Sequence, residues 1–383
     1  TGQNGGAAFI IVYVGCVLLL GIPIMMSEFI IGRHTHTNTA GAFRKLSPGT
    51  QWKWVGRLGV LSGFVILSYY SVVAGWTAEY TTLAIANFFD GKTASDFPTI
   101  FADFVSNPWK SLLWMMAFMV VTHVIVIRGV KSGIEKFSKV MMPALFIILI
   151  LLAICSVMLP GASQGLEFLL KPDFSKLTIS VVLAAMGQAF FTLSIGMGSM
   201  AIFGSYIGKE RRLMGEAVSV AALDTFVAFA AGLIVIPACF AYDVDPAAGP
   251  GLLFETLPRV FNSMAGGRVW GTLFFLFMIF AAMSTVTAVF ENLISFFMDM
   301  WGWSRRKACL FNGALMLVLA LPCALGFNLL SGIHPMGGTS TIMDLEDFII
   351  SNNILPLGSL VYVLFCTWNK RGWGWAPFMQ EAN

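Results

Sequence analysis

The sequence predicts an all-α polytopic membrane protein, and three observations support this fold class. Hydrophobic residues make up 57% of the 383 positions and charged residues 11%, whereas a soluble globular chain carries about 25% charged residues. Apolar runs recur along the chain, and most reach the roughly 20 residues that a helix needs to cross about 30 Å of hydrocarbon. Their apolarity is continuous rather than alternating, which indicates helices and not the strands of a barrel. The nine runs span residues 7–27, 58–78, 111–127, 140–159, 179–207, 217–242, 269–290, 308–330 and 348–368.

The loops between these runs alternate in charge in their order along the chain. The first is basic (Arg33, Arg44, Lys45, Lys53, Arg57) and the second acidic (Asp90, Asp96, Asp103, with Lys92). The later loops are basic (Arg128, Lys131, Lys136, Lys139), balanced, basic (Lys209, Arg211, Arg212), acidic (Asp243, Asp245, Glu255), basic (Arg305, Arg306, Lys307), acidic (Asp344, Glu346, Asp347) and basic (Lys370, Arg371). Because Lys and Arg stay on the cytoplasmic side, this predicts a multi-pass protein of the cell membrane with its N-terminal end outside and its C-terminal end in the cytoplasm. The net charge of +3 gives no indication of a nucleic-acid partner.

Familiar enzyme motifs are missing from the sequence. It contains no P-loop, zincin or GxSxG pattern, and its six cysteines form no CxxC pair. His34 and His36 form an HxH pair without further metal ligands nearby in the sequence. We therefore do not expect an enzyme, and we expect the cysteines to be buried thiols.

Four acidic residues lie within or at the edges of the apolar runs: Glu28, Glu79, Asp224 and Glu291. An ionisable group at membrane depth is costly, so each is a candidate functional residue. We expect Glu28, Glu79 and Glu291 to be paired near helix ends or bonded to neighbouring backbone. Asp224 lies deepest, and we expect it to be functional.

The stretch "AFFTLSIGMG" (189–198) places two hydroxyls and two glycines in the middle of an uncharged run. A helix needs none of them there, and this combination is typical of a discontinuous helix whose freed backbone groups line a binding site. A glycine-rich packing face is the alternative. Thr192, Ser194, Gly196 and Gly198 therefore predict a break in the helix at bilayer depth.

A second hydroxyl cluster lies in "FAAMSTVTAVF" (280–290), which contains Ser284, Thr285 and Thr287. Hydroxyls in membrane helices often donate to a carbonyl one turn back or join helices together. The alternative is that they bind a cation with other oxygen atoms.

Six motifs in order resemble the neurotransmitter:sodium symporters, and among them the bacterial amino-acid transporters with the leucine-transporter fold. "NGGAAFIIVY" with "GIPIMMSEFIIGR" resembles the second helix of that family, and "SYYSVVAGW" the third. "GQAFFTLSIGMG", "LDTFVAFAAGLIVIP", "FAAMSTVTAVFE" and "LEDFIISNNILPLG" resemble the sixth, seventh, eighth and tenth. The resemblance implies an inverted-repeat fold in which the first helix and the helices after the tenth are missing. Residues 1–160 would then hold helices two to five of the first repeat, 161–370 the second repeat, and 371–383 a cytoplasmic tail.

The same resemblance implies two sodium sites near the middle of the membrane, each incomplete without the first helix. Thr192 and Asp224 would belong to the first site. The Ala281 carbonyl and the hydroxyls of Ser284 and Thr285 would belong to the second. Oxygen-only ligation suits a hard cation.

The resemblance also implies a substrate site and two gates. The residues expected to bind the amino acid are Ile66, Tyr70, Phe191, Thr192, Ser194, Met197, Thr285 and Val289. Tyr70 would bind its carboxylate, while Ser194 and freed carbonyls near Phe191 and Thr192 would bind its ammonium group. Asp347 would be the acid of the outer gate, and Tyr206 and Asp299 would lie at the inner gate. Tyr13, Gln188 and Asp224 correspond to a chloride site, at which Ala228 offers no hydroxyl and Asp224 stands where many relatives have Asn.

The predicted function is sodium-coupled symport of a hydrophobic or aromatic amino acid by alternating access, with the lipid bilayer and sodium as the other partners. Met197 stands where some relatives have Phe, and its slimmer side chain should admit larger apolar substrates. Because the first helix is expected to be missing, residues 1–383 alone should not transport. The alternatives are a folded membrane fragment or scaffold without transport activity and, with less support, a channel through Asp224.

Overall fold

The computed structural model describes residues 1–242 and 251–382, so Asp243 and Asp245 of the predicted acidic loop lie outside the described residues. Helices form all the regular secondary structure of these residues. Eight of the helices are long and apolar enough to cross a membrane. We label them α1 (Ala7–Thr35), α3 (Lys53–Ile85), α5 (Pro108–Ile127), α6 (Ser132–Val157), α10 (Leu213–Ala241), α12 (Gly267–Trp301), α13 (Arg305–Leu325) and α14 (Ile342–Thr367).

The remaining predicted run, 179–207, folds as two short helices separated by a turn. These are α8 (Ile179–Thr192) and α9 (Ser199–Tyr206). The other short helices are α2 (Thr39–Leu46), α4 (Asp96–Ser106), α7 (Ala162–Leu170), α11 (Leu257–Ser263) and α15 (Trp375–Ala382). Each of the nine predicted runs thus corresponds to a helical segment, which confirms the all-α prediction.

Polar residues at the run ends decide where several helices begin. The Asn107 carboxamide accepts a hydrogen bond from the Lys110 amide at 3.1 Å, directly before Pro108 opens α5. At the start of α14, the Thr341 hydroxyl accepts from the Asp344 amide, and the Asp344 carboxylate accepts from the Thr341 amide at 2.7 Å. This reciprocal capping box satisfies amide groups that have no partner within the helix.

The predicted C-terminal end of the run 308–330 was wrong, because α13 ends at Leu325 and residues 326–330 form turns. The Asn328 side chain donates to the carbonyls of Ala324 (3.1 Å) and Val105 (2.9 Å). It thereby satisfies a carbonyl at the helix end and ties the turn to α4. Hydropathy alone could not locate this end, since the turn residues are also largely apolar.

The central packing is built around α3 and α12. These two helices pack closely against each other, α1 packs against α9, and α10 packs against α6 and α7. α3 has 33 residues, which at 1.5 Å per residue makes it about 50 Å long, longer than the hydrocarbon layer is thick. Ile66, Leu67 and Tyr69 in its middle are all at most 6% exposed. This long buried helix forms one wall of the candidate site.

The tail helix α15 packs against the end of α1 through Glu381. The Arg33 Nε atom donates to the Glu381 carboxylate at 2.9 Å, and His34 Nδ1 lies 3.0 Å from its other oxygen. Burial alone would raise the pKa of Glu381, but the hydrogen bonds from His34 and Arg33 outweigh it and hold the pKa below its usual range. Glu381 is therefore ionised near neutral pH and fastens the tail to α1.

Two parts of the sequence analysis stay predictions. The division into repeats at residue 160 falls in the turn between α6 and α7, and the sidedness of the termini follows from loop charge alone.

Candidate functional site

The predicted break in the helix is confirmed between α8 and α9. Three residues of the turn have positive φ angles: Ser194 (52°), Gly196 (89°) and Gly198 (82°). Glycine adopts this region without steric cost, whereas other L-residues do so at a penalty. The glycines predicted to interrupt the helix therefore do so, and the polar residue Ser194 shares the strained turn.

Glu28 of α1 holds this turn from the side. Its carboxylate is fully buried and accepts hydrogen bonds from the amides of Gly196 (2.6 Å) and Met200 (3.1 Å). In a continuous helix the Gly196 amide would instead bond to the carbonyl of Thr192, four residues back. A carboxyl group at the start of α9 also complements the positive end of that helix. From the sequence, Glu28 was expected to be paired near a helix end or bonded to neighbouring backbone; the backbone that it binds belongs to the broken helix, far away in the chain.

The turn also packs tightly against α14. A Cβ atom on Gly196 would lie 2.2 Å from the Leu355 carbonyl oxygen, and one on Gly358 would lie 2.0 Å from the Gly196 carbonyl oxygen. The contacted part of α14 follows a π-helical segment, Ile350–Ile354, a local widening that is frequent near functional sites. Two glycines thus allow the backbones to meet.

A cavity of about 240 Å³ lies beside the broken helix. All the residues predicted to bind the substrate line it: Ile66, Tyr70, Phe191, Thr192, Ser194, Met197, Thr285 and Val289. Gln188, Asp224 and Leu355 complete the wall. Leu355 was not predicted from the sequence, and it reaches the cavity through the close approach of α14 to the turn. Met197 and Val289 are only 1% and 2% exposed, so the cavity has a firmly packed apolar side.

A hydrogen-bonded group of three residues joins α1, α8 and α10 at the polar side of the cavity. The Tyr13 hydroxyl lies 3.0 Å from Thr192 Oγ1 and donates to Asp224 Oδ2 at 3.2 Å. Thr192 Oγ1 in turn donates to the Gln188 carbonyl at 3.0 Å. The residues predicted to correspond to a chloride site, Tyr13, Gln188 and Asp224, therefore meet around Thr192.

Behind this group lies a second cavity of about 480 Å³, which we call the side cavity. It shares Gln188 and Thr192 with the first cavity and is lined on its far side by Ala228 and Phe229. Tyr13 also lines it. The Tyr13–Thr192 contact thus stands between the two cavities.

The second predicted cation site brings together oxygens of a single turn of α12. Ser284 Oγ donates to the Ala281 carbonyl at 2.7 Å, and Thr285 Oγ1 lies 3.3 Å from the same oxygen. Thr287 donates to the Met283 carbonyl at 2.8 Å in the same way. These bonds are those that hydroxyls make in any membrane helix. Only Thr285 of the group also lines the cavity, where it lies beside the Tyr70 hydroxyl.

The predicted outer-gate acid, Asp347, is exposed at the start of α14. Its carboxylate accepts a hydrogen bond from Ser351 at 2.8 Å, and the Tyr69 hydroxyl lies near it.

The predicted inner-gate residues Tyr206 and Asp299 each bond to other groups. Tyr206 donates to the Glu291 carboxylate at 2.9 Å, and Glu291 pairs with Arg305. Asp299 accepts from the Thr37 hydroxyl (3.0 Å) and from the amide of Asn38 (2.7 Å). Arg305, which also donates to the carbonyl of Val126 at the end of α5, was not singled out in the sequence, although an acid at membrane depth signals a cation nearby.

Pairing also accounts for Glu79, as expected from the sequence. Its carboxylate is 4% exposed and lies 2.5 Å from Lys110 Nζ. Glu79 and Glu291 are thus both neutralised by cations from neighbouring helices, whereas Asp224 accepts hydrogen bonds from the neutral side chains of Tyr13 and Thr192.

Comparisons with known proteins agree with this arrangement. The family model "Sodium:neurotransmitter symporter family" matches residues 1–94 and 102–370. The chain is 36% identical over 364 residues to the uncharacterized sodium-dependent transporter YhdH of Bacillus subtilis, covering 95% of this chain and 80% of that one. It is 25% identical over 370 residues to the sodium-dependent serotonin transporter of Drosophila melanogaster, covering 84% of this chain and 59% of that one.

A solved structure gives the same result for the fold. The crystal structure of MhsT in complex with L-phenylalanine superposes with a TM-score of 0.92 at 43% sequence identity, covering 100% of this chain and 86% of that chain. The resemblance to neurotransmitter:sodium symporters is therefore confirmed. The protein is a multi-pass membrane transporter rather than an enzyme, and it belongs to the sodium:neurotransmitter symporter family.

Proposed function

We propose that this protein carries a hydrophobic or aromatic L-amino acid across the cell membrane together with sodium, by alternating access to one central site. The observation that carries the proposal is the cavity of about 240 Å³, which has an apolar side at Met197 and Val289 and a polar side at Asp224 and Thr192. A charged side chain against the apolar side would be desolvated without a partner. The complex of MhsT with L-phenylalanine supports an aromatic ligand by similarity.

The amino-acid backbone of the substrate would bind at the broken helix. Tyr70 would donate to its carboxylate, and the Ser194 hydroxyl with carbonyls near Phe191 would accept from its ammonium group. Interrupted helices suit this task because their ends present unpaired amides and carbonyls to a ligand. Phe191 and Tyr70 would then close the site toward the outside.

The first sodium ion would bind at Thr192 and Asp224. Asp224 supplies a full negative charge, so no chloride is needed to balance the cation. An unpaired buried carboxylate is too costly to remain ionised once sodium leaves, so Asp224 would take up a proton on the empty carrier. Transport should therefore be independent of chloride, with a proton returning in exchange.

The second sodium ion would bind the Ala281 carbonyl with Ser284 and Thr285. These oxygens already lie close together on one turn of α12. A bound sodium ion would accept lone pairs from the Ala281 carbonyl and from both hydroxyls, in place of the hydroxyl protons that now point at that carbonyl. Because Thr285 also lies beside Tyr70, occupation of this site would orient the residue that binds the substrate carboxylate.

Alternating access would then use two gates. Asp347 would help to close the outer side, and Tyr206 with Asp299 the inner side. The network of Tyr206, Glu291 and Arg305 would have to rearrange whenever the site opens toward the cytoplasm, since Tyr206 is bonded into it.

The test is uptake of radiolabelled L-phenylalanine into proteoliposomes under an inward sodium gradient, with choline as the control cation. The protein would be expressed from its complete gene and reconstituted. Unlabelled L-leucine and L-tryptophan should compete strongly, and L-glutamate and L-lysine weakly. Tyr70→Phe should abolish uptake, whereas Tyr80→Phe, a matched change on α3 away from the cavity, should not.

Two outcomes would contradict the proposal. Uptake that does not depend on sodium would contradict the coupling of transport to sodium. L-glutamate or L-lysine as the best competitor would contradict the assignment of a hydrophobic or aromatic substrate. Protein from the complete gene that folds but neither binds nor carries any amino acid would favour the scaffold alternative.

A further inference from the structure

Glu346 is an acid of α14 to which the proposed transport cycle gives no role. It directly precedes the exposed Asp347, but its own side chain is half-buried and turned toward α3 and α13. There its carboxyl group contacts the Ser68 hydroxyl of α3 and the Cys323 thiol of α13. Ser68 is 3% exposed and Cys323 is fully buried. The carboxyl group thus joins three helices on the outer-gate side of the protein.

The hydrogen-bond partners of the Ser68 hydroxyl indicate whether Glu346 is protonated. Its Oγ atom lies 2.6 Å from the Val65 carbonyl oxygen and within bonding distance of Glu346 Oε2. A serine hydroxyl has one proton to donate, and a carbonyl or an ionised carboxylate can only accept. If Glu346 were ionised, Ser68 could satisfy only one of these two acceptors. If Glu346 is protonated, it donates to Ser68, Ser68 donates to Val65, and both bonds form.

The charged and titratable neighbours favour the same assignment. Tyr69 faces Glu346 from α3 and Cys323 from α13, while Asp344 and Asp347 flank it on α14 itself. In residues 1–242 and 251–382 the ion pairs of the structure lie elsewhere and none includes Glu346. A half-buried carboxylate without a cation, beside two further acids, would be disfavoured.

The geometry points to Glu346 as a proton-binding site that couples the pH on the outer-gate side to the packing of α14. The carboxyl group takes one proton from water on that side and holds it while α14 lies against α3 and α13. Loss of this proton leaves a carboxylate that only a hydroxyl and a thiol can stabilise, next to Asp347. Proton release therefore favours movement of the start of α14 away from α3, which exposes the carboxylate to water. This site is distinct from Asp224 and does not depend on the identity of the substrate.

Infrared difference spectroscopy of the purified full-length protein in lipid tests the proton directly. In saturating sodium, where the proposed cycle leaves Asp224 ionised, the difference between the wild-type and Glu346→Gln spectra at neutral pH should contain the carbonyl-stretch band of one protonated carboxylic acid, shifted in D₂O. Asp344→Asn is the matched control, since it neutralises an exposed acid of the same helix and keeps an oxygen for the cap at Thr341. Because no substrate is added, the result is independent of the proposed transport activity. A difference spectrum between the wild type and Glu346→Gln that lacks this band would overturn the assignment.

Hydrogen exchange of the amides in Ile342–Ile349 tests the coupling. After correction for the intrinsic pH dependence, the opening equilibrium of the wild type should rise about tenfold per pH unit between the pKa values that the carboxyl group has in the open and in the packed states, because opening releases one proton in that range. Glu346→Gln carries no such proton, so its corrected exchange should be flat with pH, and Asp344→Asn should behave like the wild type. The same corrected pH profile in Glu346→Gln and the wild type would refute the coupling.

Discussion

Replacing Gly196 with alanine tests whether the turn between α8 and α9 must have the shape described here. The substitution adds one methyl group at a φ angle of 89°, against the Leu355 carbonyl oxygen at 2.2 Å and Ser359 Oγ at 2.8 Å. Gly187 offers a matched control on the preceding helix. A Cβ atom there would meet only the Ser351 carbonyl oxygen, at an ordinary 3.9 Å.

Two costs add at Gly196. An L-residue in the left-handed region costs about 1–2 kcal/mol, and forcing an extra carbon into a packed contact typically costs about 1–3 kcal/mol. Relieving the contact requires α14 and the turn to separate by roughly 1 Å, the difference between a 2.2 Å approach and a tolerable one. The sum of about 2–5 kcal/mol should reduce the population of this turn roughly 30-fold to several-thousand-fold.

The assay is equilibrium binding of radiolabelled L-phenylalanine to detergent-purified protein in saturating sodium. If the turn is the binding-competent form, the apparent Kd rises by the factor by which its population falls. Gly196→Ala should therefore lose at least about 30-fold in affinity, by the same estimate. Gly187→Ala should stay within about threefold, because an unstrained surface substitution usually changes stability by no more than about 0.5 kcal/mol. Equal affinities in the two variants, with both eluting as monodisperse protein, would refute the reasoning.

Three further predictions concern the residues around the cavity. Ser284→Ala combined with Thr285→Ala should raise the sodium concentration needed for half-maximal uptake and leave uptake at saturating sodium largely unchanged, as measured by sodium titration. Asp224→Asn should impair uptake, and Asp224→Asn with Ala228→Ser should make uptake respond to chloride, measured in chloride against gluconate buffer. Met197→Phe should weaken binding of L-tryptophan more than that of L-alanine, measured by competition, because it fills the apolar side of the cavity.

Each of these changes has a control or an outcome that would contradict it. Thr287→Ala removes a hydroxyl with the same backbone bond from the same helix and should leave the sodium titration unchanged. Strong chloride dependence of the wild type would overturn the role of Asp224. Equal losses of binding affinity for L-tryptophan and L-alanine in Met197→Phe would show that Met197 does not contact the substrate side chain.

The sequence predicted the parts of this protein that local chemistry determines. The apolar runs predicted where the helical segments lie, and the hydroxyls and glycines of residues 189–198 located the break, because the positive φ angles of the turn favour glycine. The sequence pattern alone could not identify which residues, distant in the chain, would contact each other in the fold. Nothing near Glu28 in the sequence indicates Gly196, and nothing near Glu291 indicates that Arg305 neutralises it.

The residues that line the cavity also divide into those that could be predicted from the sequence and those that could not. Its walls were anticipated through family resemblance, whereas Leu355 was missed because it reaches the site only through the contact between Gly358 and the turn. The end of α13 was misplaced for a similar reason, since it depends on a side-chain bond from Asn328 to Val105, more than two hundred residues earlier.

The side cavity has a consequence for inhibition. A molecule bound in the side cavity would contact Tyr13 and Thr192 on the side away from the substrate cavity. The substrate cavity, which Met197 and Val289 line, would stay open to substrate. A small amphiphile lodged in the side cavity would disturb the bonds from Tyr13 without occupying the space of the transported molecule. Such a compound would lower the maximal velocity and leave the half-saturating substrate concentration nearly unchanged, and no excess of amino acid would relieve the block.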